Sequence, residues 1–187
     1  MLVDSPLTPD RWPRYIYNVS WDTNNPRGRR TVELLEADSS VTRAEAMAYA
    51  TDVYDLLAPQ WQLLLRAAVE AVGADQPQGA DFKAAVAAIL AWDGQYVPEA
   101  TVTTLLKFWR LKCGQQLDLA PLAAGKLLDQ EAQQKMLALL AETIGEMKKE
   151  YGHWDVAWGE VHRVGRGEQH FPVGGTDFRS GNRAANF

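Results

Sequence analysis

The chain has 187 residues, 47% of them hydrophobic, which suits one domain or one large piece of a multidomain protein. Its 19 basic and 24 acidic residues give a net charge of −5, so charge provides no basis for binding nucleic acid or an anionic membrane. The single cysteine, Cys113, excludes an intramolecular disulfide and a cysteine-based zinc site. No apolar run approaches the roughly 18–20 residues of a spanning helix. The first residues also lack the pattern of a signal peptide.

Residues 1–26 are predicted to form an extended lead-in, because prolines interrupt them repeatedly and an Asn-Asn pair precedes Pro26. A helical body over residues 27–152 follows. Its first helix is predicted over Arg27–Ala37, with Val32 and Leu35 facing inward. The capping box Thr42-x-x-Glu45 then opens a second helix that is expected to reach about Leu57.

Four longer helices are predicted next, each with apolar residues at spacings of three and four. Pro59 lies in the first turn of one of them, and Gly73 and Asp93-Gly94 mark two of their ends. Lys148 and Lys149 followed by Gly152 end the last one. The predicted apolar stripes are Trp61, Leu64, Leu65, Ala68, Val69 and Val72; Phe82, Val86, Ile89 and Leu90; Val102, Leu105, Leu106, Trp109 and Cys113; and Leu137, Leu140, Ile144, Met147 and Tyr151.

Residues 153–187 are predicted to form a glycine-rich return segment in which "HFPVGG" is a short strand. Three histidines in this segment, His153, His162 and His170, suggest a metal site. Two ligands on one helix face need a spacing of three or four, whereas these residues lie nine and eight apart. The spacing favours turn-stabilising or packing roles.

Two further patterns have simple structural explanations. Cys113 with a distant histidine suggests a thiol nucleophile, but it lies on an apolar stripe where a buried thiol packs well. Trp-Asp occurs at 21–22, 92–93 and 154–155, and separations of 71 and 62 residues do not fit propeller blades of about 40–45 residues. The sequon Asn18-Val19-Ser20 matters only if the protein enters a eukaryotic secretory route.

A basic cluster of Arg27, Arg29 and Arg30 lies at the start of the first predicted helix, where the helix dipole disfavours cations. A functional cation and a salt-bridged surface explain this equally well on composition alone. The residues themselves therefore predict a helical globular piece and little chemistry.

Several stretches, taken in order, resemble the penicillin acylases and their relatives that cleave acyl-homoserine lactones, cephalosporins and lipopeptides. Each motif is weak by itself, but six in the same order cover nearly the whole chain. The resemblance implies a mainly α fold, the helical segment of an N-terminal-nucleophile hydrolase β-subunit with irregular and short-strand flanks. The motifs are "DSPLTPDRWPRYI" with "NNPRGRRTVELLEAD", "SVTRAEAMAYATDVYDLLA", "AAVAAILAWDGQ", "LLKFWR", "LAETIGEMKKEYG", and "WGEVHRV" with "FPVGG".

The resemblance also implies a mechanism. In this family a precursor cleaves itself and exposes a serine, whose own α-amino group acts as the general base. Backbone N–H groups and an asparagine hold the oxyanion. The chemistry requires no metal or cofactor. Nothing in this chain corresponds to the serine, which is expected upstream, and the asparagine is expected before residue 1. If the alignment is shifted, Asn18 or Ser20 is the candidate.

One functional position is carried over to this chain. An arginine near the family's substrate pocket precedes its Leu-Leu helix, and Arg27 in "NPRGRRTVELL" falls there, as a substrate-binding residue. It would hold a polar group of the substrate or the catalytic asparagine. Arg29 and Arg30 are not expected to share this role. His162 in "WGEVHRV" is expected to fix local geometry.

The leading hypothesis is therefore that the chain is part of an amidohydrolase that cleaves N-acyl amide bonds in antibiotics, acyl-homoserine lactones or similar substrates. The chain would be inactive alone because it lacks the nucleophilic serine. Its expected partners are the remaining α- and β-segments of the precursor and a small N-acyl amide. The location would be periplasmic or secreted if the full protein follows the family. The alternative is a non-catalytic helical binding or scaffold module derived from such an enzyme. An independent hydrolase using Cys113 or His162 is the weakest hypothesis.

Overall fold

The computed structural model describes residues 26–73, 77, 79–123 and 126–176. The predicted lead-in, apart from Pro26, lies outside these residues, as do Asn18, Ser20 and the last 11 residues of the return segment. The chain divides into two compact units, Met1–Leu56 and Leu57–Phe187. Among the described residues, no helix combines the length and the apolarity needed to cross a bilayer.

The described part is mainly α-helical, as the resemblance predicts, with one two-stranded sheet at its C-terminal end. The helices of the first unit are α1 (Pro26–Glu36) and α2 (Arg43–Ala50). Those of the second unit are α3 (Ala58–Val72), α4 (Ala80–Ala91), α5 (Val102–Gln116), α6 (Ala120–Ala123), α7 (Gln130–Tyr151) and α8 (Trp158–Val161), and its strands are β1 (Arg163–Arg166) and β2 (Gln169–Pro172).

The capping box predicted at the start of α2 is confirmed. Thr42 Oγ1 accepts from the Glu45 backbone N–H at 3.3 Å, and Glu45 Oε2 accepts from the Thr42 N–H at 2.8 Å. The predicted end near Leu57 is wrong, because α2 stops at Ala50. Just beyond it, Asp52 Oδ1 accepts the N–H of Tyr54 at 3.1 Å, a local bond that offers the backbone an alternative to the helix.

The first unit has little apolar packing among its described residues. None of residues 26–56 is fully buried, and Leu35, predicted to face inward, is 50% exposed. Val32 is half-buried. The prediction for Leu35 is therefore wrong within the described structure.

The core of the second unit lies where α3, α5 and α7 pack together, with α4 against all three. The predicted stripes are largely confirmed: Trp61, Leu65, Trp109 and Leu140 are at most 2% exposed. Val69, Val86, Leu90 and Tyr151 are only half-buried. The rings of Trp61 and Trp109 meet edge to face at 5.5 Å, and Trp109 Nε1 donates to Met136 O at 2.9 Å.

The return segment contains a β-hairpin in place of the single predicted strand. β1 and β2 pair antiparallel, with Val164 opposite Phe171, and Gly167 in the turn between them has a φ of 62°. Gly165 is required within β1, because a Cβ atom there would lie 2.0 Å from Gln169 O. The strand predicted at "HFPVGG" therefore corresponds to β2 over residues 170–172, whereas residues 173–175 lie outside the strand.

Candidate functional site

Arg27, the residue expected to contact substrate, lies in the first turn of α1 with an exposed side chain. Its backbone carbonyl accepts a hydrogen bond from Thr31 Oγ1 at 2.9 Å, in addition to its place in the helix. The guanidinium offers hydrogen-bond donors in a planar fork. The side chain is therefore available to an anionic or carbonyl group that approaches this end of α1.

Arg30 lies three residues later and has a different environment. Its Nε and Nη2 donate to Oδ1 and Oδ2 of Asp52, each at 3.0 Å, and its Cζ lies 4.5 Å from the centre of the Tyr54 ring. The two charged side chains are 25% and 16% exposed. A half-buried bidentate pair with a stacked ring is stronger than an ordinary surface ion pair. Arg30, Asp52 and Tyr54 are together called the Arg30 clamp below.

The contact between Arg30 and Asp52 shifts the pKa values of both residues. Hydrogen bonding from Arg30 holds the pKa of the Asp52 carboxyl below its usual value, against the opposing effect of burial. The same hydrogen bond raises the pKa of Arg30. Both groups are thus charged throughout the physiological range. Arg30 is committed to a structural partner, whereas Arg29 is exposed on the same helix.

Sequence analysis did not identify Asp52 and Tyr54. Asp52 lies 22 residues from Arg30, beyond the end of α2, where no helical periodicity relates the two positions. The only signal in the sequence was the basic cluster at a helix start, which required a counter-charge from somewhere in the fold.

The three histidines lie in three different local settings. His153 Nδ1 is 3.0 Å from Asp155 Oδ1 on the exposed surface, and His170 is exposed on β2. His162 stacks on the Trp158 ring with centroids 4.7 Å apart, and its Nδ1 lies 3.0 Å from Val173 O. Across the described ranges, no three His, Cys, Asp or Glu side chains are grouped so that they could hold a metal ion.

His162 belongs to a junction between the return segment and the helices. Trp158 Nε1 donates to Gly175 O at 2.8 Å, and the Gly175 N–H donates to Tyr96 O at 2.8 Å. The Tyr96 ring packs edge to face on Trp158 at 5.5 Å. His162 therefore holds Val173, while Trp158 and Tyr96 hold Gly175, so the three residues together fix the path of residues 173–175.

Cys113 lies in the core, as its stripe predicts. It is 0% exposed, and burial raises the pKa of its thiol far above the usual value. A nucleophilic cysteine needs a thiolate and access to substrate, and this environment opposes both.

The described residues thus form a helical body with a short hairpin. On α1, the exposed Arg27 precedes Arg30, which is paired with Asp52. Comparison with known families gives the class of this chain as a penicillin-acylase-type protein. The chain belongs to the penicillin amidase family, whose profile matches residues 4–186. The resemblance seen in the sequence is therefore confirmed. No curated protein sequence matches the chain at a significant level.

Proposed function

We propose that this chain supplies the helical part of a penicillin-acylase-type amidohydrolase that cleaves N-acyl amide bonds. The family match over residues 4–186 is the observation that carries this proposal. The nucleophilic serine and the oxyanion donors come from other segments of the same precursor, and the acyl group passes through an acyl-enzyme that water hydrolyses. Antibiotics, acyl-homoserine lactones and related N-acyl amides form the substrate class.

Arg27 is the residue of this chain assigned to the substrate. Its exposure at the first turn of α1 supports the assignment, since a cation placed against the helix dipole and left accessible suits an external polar group. The pairing of Arg30 with Asp52 supports leaving Arg30 out of that role. Arg27 would hold either a polar group of the substrate or the catalytic asparagine.

The first experiment identifies the mature protein. The complete reading frame that encodes this chain is expressed, and the N-terminus of each mature chain is sequenced. We expect self-cleavage to expose a serine, and we expect the product to hydrolyse at least one of three chromogenic amides with phenylacetyl, short aliphatic or long aliphatic acyl groups. A mature protein that begins at Met1 and hydrolyses none of them would favour the scaffold alternative.

The second experiment tests Arg27 in the active enzyme. Arg27→Ala is expected to lower kcat/KM by about 10²-fold, the size typical of removing one charged or hydrogen-bonding group from an acyl-transfer site. Arg29→Ala is the matched control, because it removes an exposed arginine from the same helix. Equal kcat/KM for the two variants would contradict the role of Arg27 and leave the acylase activity itself intact.

A further inference from the structure

The Arg30 clamp ties α1 to the segment that follows α2. Asp52 accepts both donors of the Arg30 fork, and its Oδ1 also accepts the N–H of Tyr54, so the carboxylate, the ring and the guanidinium hold one another in place. Glu33 adds a weaker contact, with its Oε2 3.7 Å from Arg30 Nη1. Every group in this cluster has a defined partner.

The rotation of α1 about its axis depends on this cluster. Among the described residues, α1 has none that is fully buried, whereas α3 and α7 each bury several, so apolar packing holds α1 less firmly than those helices. Residues three apart lie about 60° apart around a helix. A clamp on Arg30 therefore also fixes the direction in which Arg27, one turn earlier, leaves the helix.

We propose that Arg30, Asp52 and Tyr54 are positioning residues that orient Arg27 toward the substrate. The proposal rests on the substrate-binding role of Arg27 given above. It adds an account of how the Arg27 guanidinium is oriented. It also accounts for the difference between two cations one turn apart: Arg30 is half-buried against Asp52, whereas the Arg27 side chain is exposed.

The test uses the mature enzyme identified by the first experiment above, with its arginines labelled for NMR. Phenylacetate serves as the probe, since its carboxylate suits a guanidinium fork. Binding is followed by the Nε–H signal of Arg27, and the order of α1 by exchange of its backbone amides. The variant is Asp52→Asn. The control is Asp81→Asn in the second unit, which removes a carboxylate that also pairs with a cation, Lys148.

We expect Asp52→Asn to speed amide exchange in α1 and to weaken phenylacetate binding at Arg27 by about fivefold or more, while Asp81→Asn changes neither. If phenylacetate binds the unmodified chain and the Asp52→Asn chain equally, the positioning role is overturned and the role of Arg27 stands. If phenylacetate leaves the Arg27 signal of the unmodified chain unchanged, the substrate role of Arg27 fails and the positioning role fails with it.

Arg30→Lys keeps the chain testable if Asp52→Asn does not fold. Lysine retains the positive charge but has neither the planar fork nor the stacking face of arginine. We expect a shift of the Arg27 Nε–H signal and weaker phenylacetate binding, both smaller than for Asp52→Asn. Unchanged binding in Arg30→Lys would show that charge alone suffices and would overturn the proposed geometry.

Discussion

Gly159 shows how a single residue controls the junction between the return segment and the helices. A Cβ atom at this position would lie 2.7 Å from Pro172 Cβ and 2.9 Å from Pro98 Cβ. The backbone N–H of Gly159 also donates to Pro98 O at 2.8 Å, so the glycine cannot move away without breaking that bond. The missing side chain is what allows α8 to lie against both prolines.

Replacing Gly159 with alanine is therefore expected to lower the free energy of unfolding by about 1–3 kcal/mol, the usual cost of adding a methyl group to a closed contact. Gly145→Ala is the control. Gly145 lies inside α7, and a Cβ atom added there would meet no atom within 4 Å, so alanine should raise stability by about 0.5–1 kcal/mol. Urea unfolding of both variants measures the difference. Similar changes in the two would contradict the close contact at Gly159.

The four long helices of the second unit, α3, α4, α5 and α7, were predictable from the sequence because each carries an apolar stripe. Trp61, Leu65 and Trp109 fall on those stripes and are buried. The end of α2 was not predictable, since it depends on where Asp52 finds its partners. Asp52 bonds to Arg30 and to the Tyr54 backbone, and neither contact produces a periodic pattern in the sequence.

The hairpin illustrates a second limit of sequence patterns. Every residue of β1 and β2 is exposed, so the alternation of buried and exposed positions that identifies a strand is absent. Its sequence signals were the glycines, and Gly167 with its positive φ marks the turn. Only the second strand was predicted, at "HFPVGG".

The N-terminus of α7 provides a test at the level of one helix. Asp129 caps it by accepting the N–H of Ala132 at 2.8 Å. Asp129→Ala removes this bond and is expected to cost about 1 kcal/mol. Glu131→Ala is the control, because Glu131 is exposed in the first turn and loses only a favourable interaction with the helix dipole, roughly 0.3 kcal/mol. Equal losses of unfolding free energy in the two variants would show that the cap contributes nothing specific.

At the scale of the whole chain, the two units are stabilised in different ways. The second unit buries the side chains of α3, α5 and α7, and each fully buried leucine contributes about 1.5–3 kcal/mol. Residues 26–56 bury none fully, and two polar contacts stand out there: the Arg30 clamp and the bond from Tyr49 Oη to Asp38 Oδ2 at 2.8 Å. The first unit should therefore respond to pH far more than the second.

The candidate site was only partly predictable for the same reason. The position of Arg27 came from resemblance to the acylases, and the basic cluster around it was visible in the composition. The carboxylate and the ring that hold Arg30 lie 22 and 24 residues further along the chain, and only the fold brings them to α1. Long-range polar pairs of this kind carry no periodic signal, in contrast to an apolar stripe.

The structure of the first unit is expected to persist between about pH 4 and pH 10. Hydrogen bonding from Arg30 lowers the pKa of Asp52, and hydrogen bonds from the Ser40 backbone and from Tyr49 lower the pKa of Asp38. When folding lowers the pKa of a group, that group stabilises the fold at pH values above its pKa in the unfolded chain. This stability is lost as the pH falls through its pKa in the folded chain. The hydrogen bond to Asp38 raises the pKa of Tyr49. The stability contributed by this bond is therefore present below about pH 10 and is lost as the pH rises through the pKa of Tyr49 in the folded chain.

NMR chemical shifts of α1 and α2 across a pH titration measure this window, with α7 as the internal reference because its helix rests on apolar burial. We expect the helical shifts of α1 to decline below about pH 4 while those of α7 persist. Asp52→Asn should reduce the helical shifts of α1 at neutral pH and remove most of their decline in acid, since its amide does not titrate. An acid transition of α1 that is identical in the variant would show that Asp52 is not the group responsible.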